Sequence, residues 1–101
     1  TTIQADSAEY HYGVVGENMT ASRKIILKNT GKEVFHIKGT TTSCDCMTAE
    51  YDWDEISPGG KATMTVGYKA EEPGDFWRTI TIYGNVPGKS VTLDFWGTVR
   101  K

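Results

Sequence analysis

The shortages in this sequence bound it first. Cysteine occurs twice and proline three times in 101 residues. Two cysteines cannot build the disulfide framework of a small secreted scaffold. A chain of this length can bury a core without one, and it fits one domain over residues 1–101. No apolar run approaches the roughly 20 residues that a membrane-spanning helix requires. The net charge of -2 leaves no basic footprint for nucleic acid. No long segment carries a helical period. Gly59-Gly60-Lys61 precedes a strand-like run rather than a helix, so it is no phosphate loop. The chain starts at Thr1 without a signal-peptide pattern, which reads as a mature or excised segment.

What is present is strand. Runs rich in Thr, Val, Ile, Tyr, Phe and Trp recur between Gly, Asn and Pro signals. Thr1–Ala5 reads as an edge strand and Asp6-Ser7-Ala8-Glu9 as a turn. Tyr10–Val15 reads as a strand with a bulge at Gly13, and Gly16-Glu17-Asn18 as a turn. Met19–Asn29 puts Met19, Ala21, Arg23, Ile25 and Leu27 on a buried face. Asn29-Thr30-Gly31-Lys32 reads as a turn in which Asn or Gly takes the left-handed conformation. Val34–Thr41 sets Phe35, Ile37 and Gly39 against His36, Lys38 and Thr40. Ser57-Pro58-Gly59-Gly60 is a tight turn, and Ala62–Tyr68 alternates again.

Phe76–Tyr83 and Val91–Val99 form the clearest hairpin, closed by Asn85-Val86-Pro87-Gly88. Pairing Gly84 with Lys89 sets Ile82 opposite Val91 and Ile80 opposite Leu93 on the inner side. Thr81 then faces Thr92, Thr79 faces Asp94, and Trp77 faces Trp96 on the outer side. Both faces match chemically. The fold expected is all-β: an immunoglobulin-like sandwich of about seven antiparallel strands.

Three groups of residues could carry chemistry. Cys44 and Cys46 stand two apart, with Cα atoms roughly 6.6 Å apart if extended. A bridge between them needs a bent backbone and would be easily reduced, which suits redox chemistry. Two thiolates on one face also suit a soft metal, although a structural zinc site needs four ligands. The plain alternative is a pair of small fillers at a strand end. Catalysis at a cysteine needs a base, and only His11 and His36 could serve.

The second group is acidic: Asp45, Glu50, Asp52, Asp54 and Glu55. It lacks calcium-loop spacing and reads as a solvated loop. The third is Trp77 and Trp96, with Tyr83, His36 and Lys38 placed on the same outer face. These could bind a protein partner or neighbouring domain, stack on carbohydrate, or stiffen the hairpin.

Several stretches resemble a known family in order: Asn29-Thr30-Gly31, Phe35-x-Ile37, Thr42-Ser43-Cys44-Asp45-Cys46-Met47-Thr48, Ile56-Ser57-Pro58-Gly59-Gly60, Gly74-Asp75-Phe76 and Gly97-Thr98-Val99. They look like the bacterial domain of unknown function numbered 1573, with Asp45 where Gly is usual between the cysteines. The resemblance covers nearly the whole chain. It implies a sandwich of the major-sperm-protein kind, in exported or lipoprotein-like proteins of Bacteroidetes. No catalytic residue or cofactor comes with it. The function expected is therefore a non-enzymatic interaction or scaffold module of the cell envelope, periplasmic, outer-membrane-associated or secreted. The alternatives are a thiol site at Cys44 and Cys46 and a carbohydrate-binding face at the tryptophans.

Overall fold

The computed structural model describes residues 1–7 and 9–101, so the turn expected across Ala8 lies partly outside the described residues. Nine strands follow one another without a helix among the described residues: β1 (Ile3–Ala5), β2 (Glu9–Gly16), β3 (Thr20–Asn29), β4 (Phe35–Thr42), β5 (Met47–Glu50), β6 (Glu55–Ile56), β7 (Lys61–Lys69), β8 (Gly74–Gly84) and β9 (Ser90–Arg100). One sheet has the order β1-β3-β7-β5 and the other β2-β9-β8-β4-β6. They form the expected immunoglobulin-like sandwich. Short strands β5 and β6, which the sequence reading lacked, bring the count to nine rather than about seven.

The β8–β9 hairpin has the register read from the sequence. Ile80 pairs with Leu93, Ile82 with Val91, Thr81 with Thr92 and Trp77 with Trp96. The turn closes where Gly84 N–H donates to the Lys89 carbonyl at 3.1 Å. The turn at Pro58 is also as expected. Gly59 has φ 77° and Gly60 N–H donates to the Ser57 carbonyl at 2.8 Å, which is type II geometry.

One pairing was not legible in local pattern. β2 runs parallel to β9, with Tyr10 beside Phe95, His11 beside Trp96 and Val15 beside Val99. The register shifts between His11 and Val14, where Gly13 has φ 73°. The bulge lets the strand follow β9 past this point.

The core lies between the sheets. Ile25, Leu27, Met64, Val66 and Tyr68 face Phe35, Phe76, Ile80, Ile82, Leu93 and Phe95, all buried. Two expected core positions of β3 differ. Met19 precedes the strand, follows the turn at Asn18 and is exposed. Arg23 keeps the inward parity but lies where the sandwich opens, with its guanidinium 5.5 Å from the centre of the Tyr10 ring. A long cationic side chain can cover an aromatic face while its head stays wet.

Asn29 is not a left-handed turn residue. It ends β3 with its side chain wholly buried, and neither it nor Gly31 has positive φ. Its role is hydrogen bonding.

The edge near Tyr10 carries a hydrogen-bonded carboxyl. Tyr10 donates its hydroxyl proton to the Asp6 carboxylate. That bond, opposed by desolvation, holds the Asp6 carboxyl below its ordinary value of 3.8. Burial and then the same bond raise the Tyr10 phenol, and burial raises Tyr12. The depressed carboxyl stabilises the fold above its unfolded value, and this contribution is lost as pH falls through the folded value. Tyr10→Phe should therefore flatten the fall in urea midpoint between about pH 5 and pH 2. An acid limb as steep as wild type would show that the bond carries no linkage.

Candidate functional site

The cysteine loop follows from its backbone. Residues Ser43–Cys46 leave β4 and turn before β5 begins. Met47 N–H donates to the Cys44 carbonyl at 3.2 Å, closing a turn with Asp45 and Cys46 at its centre. This bend brings the Cα atoms of Cys44 and Cys46 to 5.1 Å, and a disulfide joins them. The bent backbone matches the requirement read from the spacing. The loop is also held without the bridge. Thr42 Oγ1 donates to the Cys44 carbonyl at 2.8 Å, Lys69 N–H donates to the Cys46 carbonyl at 2.8 Å, and Ser43 N–H donates to the Thr79 carbonyl at 3.0 Å. A bridge between residues two apart removes little freedom from the unfolded chain. The chain-entropy relation assigns a three-residue loop about 1.6 kcal/mol, against about 3 for a loop of fifteen.

Both cysteines are half-buried and line an open groove of about 270 Å³ with Tyr68, Phe76 and Arg78. Glu71, Glu72, Asp75 and Lys69 border the same groove. Arg78 stands with its guanidinium 6.0 Å from the centre of the Tyr68 ring. Its Nη1 donates to the Trp77 carbonyl at 2.9 Å, while its Nε is buried with no partner among the described residues. Sequence reasoning did not single out Arg78, because β8 reaches the loop only through sheet pairing. Neither histidine lines this groove, so no cysteine–histidine pair forms there. Oxidised, the two sulfurs are not thiolates. No group of three or more His, Cys, Asp or Glu side chains suited to a metal occurs among the described residues.

The acidic residues do not converge on one centre. Asp45 lies in the cysteine loop, Glu50 ends β5, and Glu55 stands in β6, 3.7 Å from His36. Between them Tyr51 and Trp53 pack ring to ring at 5.3 Å, and Trp53 Nε1–H donates to the Thr63 carbonyl at 2.8 Å.

The tryptophans form a defined surface. Trp77 and Trp96 are direct cross-strand partners, their rings stacked at 5.4 Å with planes 16° apart. Trp77 Nε1–H donates to Asp94 at 3.0 Å, which fixes its tilt. Even so, Trp77 is 53% and Trp96 37% exposed. The parallel strand β2 adds His11 and Val14, and Val14 is 61% exposed. An open hollow of about 560 Å³ lies among these residues, floored by Gly13, Phe76 and Gly97.

Tyr83, His36 and Lys38 form a separate group. Tyr83 stands six residues from Trp77 along β8, about 20 Å at the strand rise. Its hydroxyl accepts from Thr41 Oγ1 at 3.4 Å, and it pairs with Gly39 across the β4 irregularity that contains Lys38. His36 binds the hairpin turn through its backbone N–H, which donates to Asn85 Oδ1 at 2.7 Å. His11 and Val14 escaped the sequence reading because no local signal says that the second strand pairs with the last.

Two layers with the first long strand beside the last form an immunoglobulin-like sandwich. The chain belongs to the family described as protein of unknown function (DUF1573), whose profile matches residues 3–99. A Porphyromonas gingivalis W83 protein of unknown function has a similar structure, with a TM-score of 0.81 at 19% identity. That match covers 95% of this chain and 46% of that one, so the chain spans about half the length of this relative. The major-sperm-protein-like SSP-19 of Caenorhabditis elegans matches with a TM-score of 0.65 at 15% identity, covering 93% of this chain and 97% of that one. The secreted serine protease VesC of Vibrio cholerae matches with a TM-score of 0.67 at 12% identity, covering 88% of this chain and 21% of that one. At these identities the likenesses establish the fold. No curated protein matches.

Proposed function

We propose that this is a recognition and scaffold module of a bacterial cell-envelope or secreted protein, and that its contact surface is the Trp77/Trp96 face. The observation that carries this reading is the stacked pair, left open on the outer side of a sheet and continued by Val14 and His11. Exposed contiguous aromatic surface is unfavourable in water unless something covers it. Large rigid aromatics flanked by polar groups are the usual anchors of protein interfaces. A protein partner or neighbouring domain is preferred to carbohydrate because each indole already spends one face on the other. The Cys44–Cys46 disulfide supports an oxidising compartment, where such bonds persist. VesC, described as secreted, uses the same fold as about a fifth of its chain.

The test compares wild type with the Trp77→Ala/Trp96→Ala double variant in pull-downs from the envelope and secreted fractions of the source organism. Loss of an anchor costing about 2 kcal/mol weakens binding about 30-fold, so the association should disappear from the double variant. A Thr92→Ala control, on the same face but further along the hairpin, should retain it. Retention of every association by the double variant would overturn the reading. Quenching of tryptophan emission by a glycan, with no protein captured, would replace the partner class with carbohydrate.

A further inference from the structure

Beyond the recognition face, we propose that Cys44–Cys46 is a redox-active pair that oxidises a partner dithiol, with Cys46 the sulfur attacked, Cys44 the leaving thiolate and Arg78 the cation that holds it.

Four observations converge. The bridge spans only two positions, so it contributes little as a staple. It forms a wall of an open groove, where an incoming sulfur can reach it. The two sulfurs are not equivalent, because the Cys46 N–H lies 3.1 Å from Cys44 Sγ and donates to it. That donor would follow the negative charge onto Cys44 when the bond opens, which makes Cys44 the better leaving group. Finally, Arg78 borders the same groove with its Nε buried and unpartnered among the described residues. A guanidinium with one buried, unused donor suits an anion that exists in only one redox state. A thiolate beside arginine is such an anion. The loop's backbone hydrogen bonds to Thr42, Met47, Thr79 and Lys69 do not involve the sulfurs, so the reduced pair would stay poised to close again.

The chemistry balances as dithiol–disulfide exchange. A partner thiolate attacks Cys46 Sγ in line with the S–S bond. A mixed disulfide forms, and Cys44 leaves as thiolate beside Arg78. The partner's second thiolate then attacks its own half of the mixed disulfide and releases Cys46. The partner is oxidised by two electrons and the Cys pair is reduced by two. The two protons lost by the partner thiols are taken up by the pair from solvent. Reoxidation runs through the reverse steps against a disulfide oxidant, with Cys44 as the resolving thiolate.

The test uses the intact chain and glutathione as the thiol probe. Samples equilibrated in glutathione redox buffers are quenched in acid, alkylated and weighed, with far-UV circular dichroism recorded in parallel. The folded protein should pass reversibly between disulfide and dithiol. The transient glutathione adduct, mapped by fragmentation, should sit on Cys46, and a Cys44→Ser variant should accumulate it there. Arg78→Gln should slow resolution of the adduct about three-fold. A rise of one unit in thiol pKa cuts the thiolate fraction about tenfold, and the higher nucleophilicity of the more basic thiolate recovers a factor of about three, which leaves about three-fold. The pH profile of Cys44 alkylation should move upward in Arg78→Gln at unchanged urea midpoint, which a merely structural arginine would not cause. A disulfide that opens only when the protein unfolds overturns the proposal. An adduct mapped to Cys44 overturns the assignment of the attacked sulfur, and an unmoved alkylation profile in Arg78→Gln overturns the role of the arginine.

Discussion

Asn29→Leu should lower stability by about 3 kcal/mol, read as a fall in urea midpoint at constant slope. Asn29 is the buried polar residue at the end of β3, and its amide has no unused group. Nδ2 donates to the Glu33 carbonyl at 2.6 Å and to the Ile56 carbonyl at 2.9 Å. Oδ1 accepts from Thr1 Oγ1 at 2.7 Å and from Gly31 N–H at 3.0 Å. One side chain thus joins the N-terminal segment, the β3–β4 loop and the end of β6. Leucine keeps the branched heavy-atom shape but leaves buried donors and acceptors unmet, each costing about 1–3 kcal/mol. Asn29→Asp provides the sharper control. It keeps the shape and the acceptor but sets a carboxylate against two carbonyl oxygens. Its folded pKa should rise, so the variant should recover toward wild type as pH falls and the carboxyl becomes a donor. A loss under 1 kcal/mol in Asn29→Leu, or no acid recovery in Asn29→Asp, would show that solvent replaces these bonds.

The Asn29 result bears on what the sequence reveals. Asn-Thr-Gly looks like a turn because Asn and Gly share the left-handed conformation, and local reasoning stops there. In the structure Gly31 is needed for space instead. A Cβ there would fall 2.0 Å from Thr1 Oγ1 and 2.8 Å from the Thr2 backbone nitrogen. Which segments approach closely is a tertiary fact, invisible to a window of a few residues. Alternation, by contrast, is written residue by residue. It yielded the inward faces of β7, β8 and β9 and the whole hairpin register. Arg23 departed from it because its long side chain carries its charge out over the Tyr10 ring, and Met19 because it precedes β3.

The two candidate surfaces divide in the same way. The Trp77–Trp96 pair was legible because one hairpin register fixes both residues. His11 and Val14 were not, because they arrive by parallel pairing with a strand some eighty residues away. The cysteine spacing stated what a bridge would require, a bent backbone, without choosing among a bridge, a soft-metal site and a pair of small fillers. Arg78 was not legible, because an arginine on a strand displays no sign of the groove it will face.

Gly97→Val should be the most damaging single change near the recognition face, costing about 3 kcal/mol or more. Gly97 pairs with Phe76 across the hairpin. A Cβ at position 97 would lie 2.5 Å from Phe76 Cζ and 3.1 Å from the Gly13 carbonyl oxygen. The ring cannot retreat, because Tyr68 stacks on it at 4.1 Å with planes 22° apart. Valine must therefore push either the Phe76 ring into the core or β2 away from β9, and β2 carries His11 and Val14 to the tryptophans. This accounts for two of the stretches that carry the family resemblance in the sequence. Gly74-Asp75-Phe76 and Gly97-Thr98-Val99 are facing segments of one ladder, with Gly74 opposite Val99 and Phe76 opposite Gly97. They look like separate punctuation in sequence and form a single ring-on-backbone contact in space. The double variant Gly97→Ala/Phe76→Leu tests it. If the clash is with the ring, shortening Phe76 should make the alanine less costly, and the two changes should couple favourably by about 0.5 kcal/mol or more. Strict additivity in urea unfolding would place the strain at Gly13 and the β2 backbone instead. The same Gly97→Val variant should also lose partner binding under conditions where it remains folded, since displacing β2 breaks up the hollow beside Trp96.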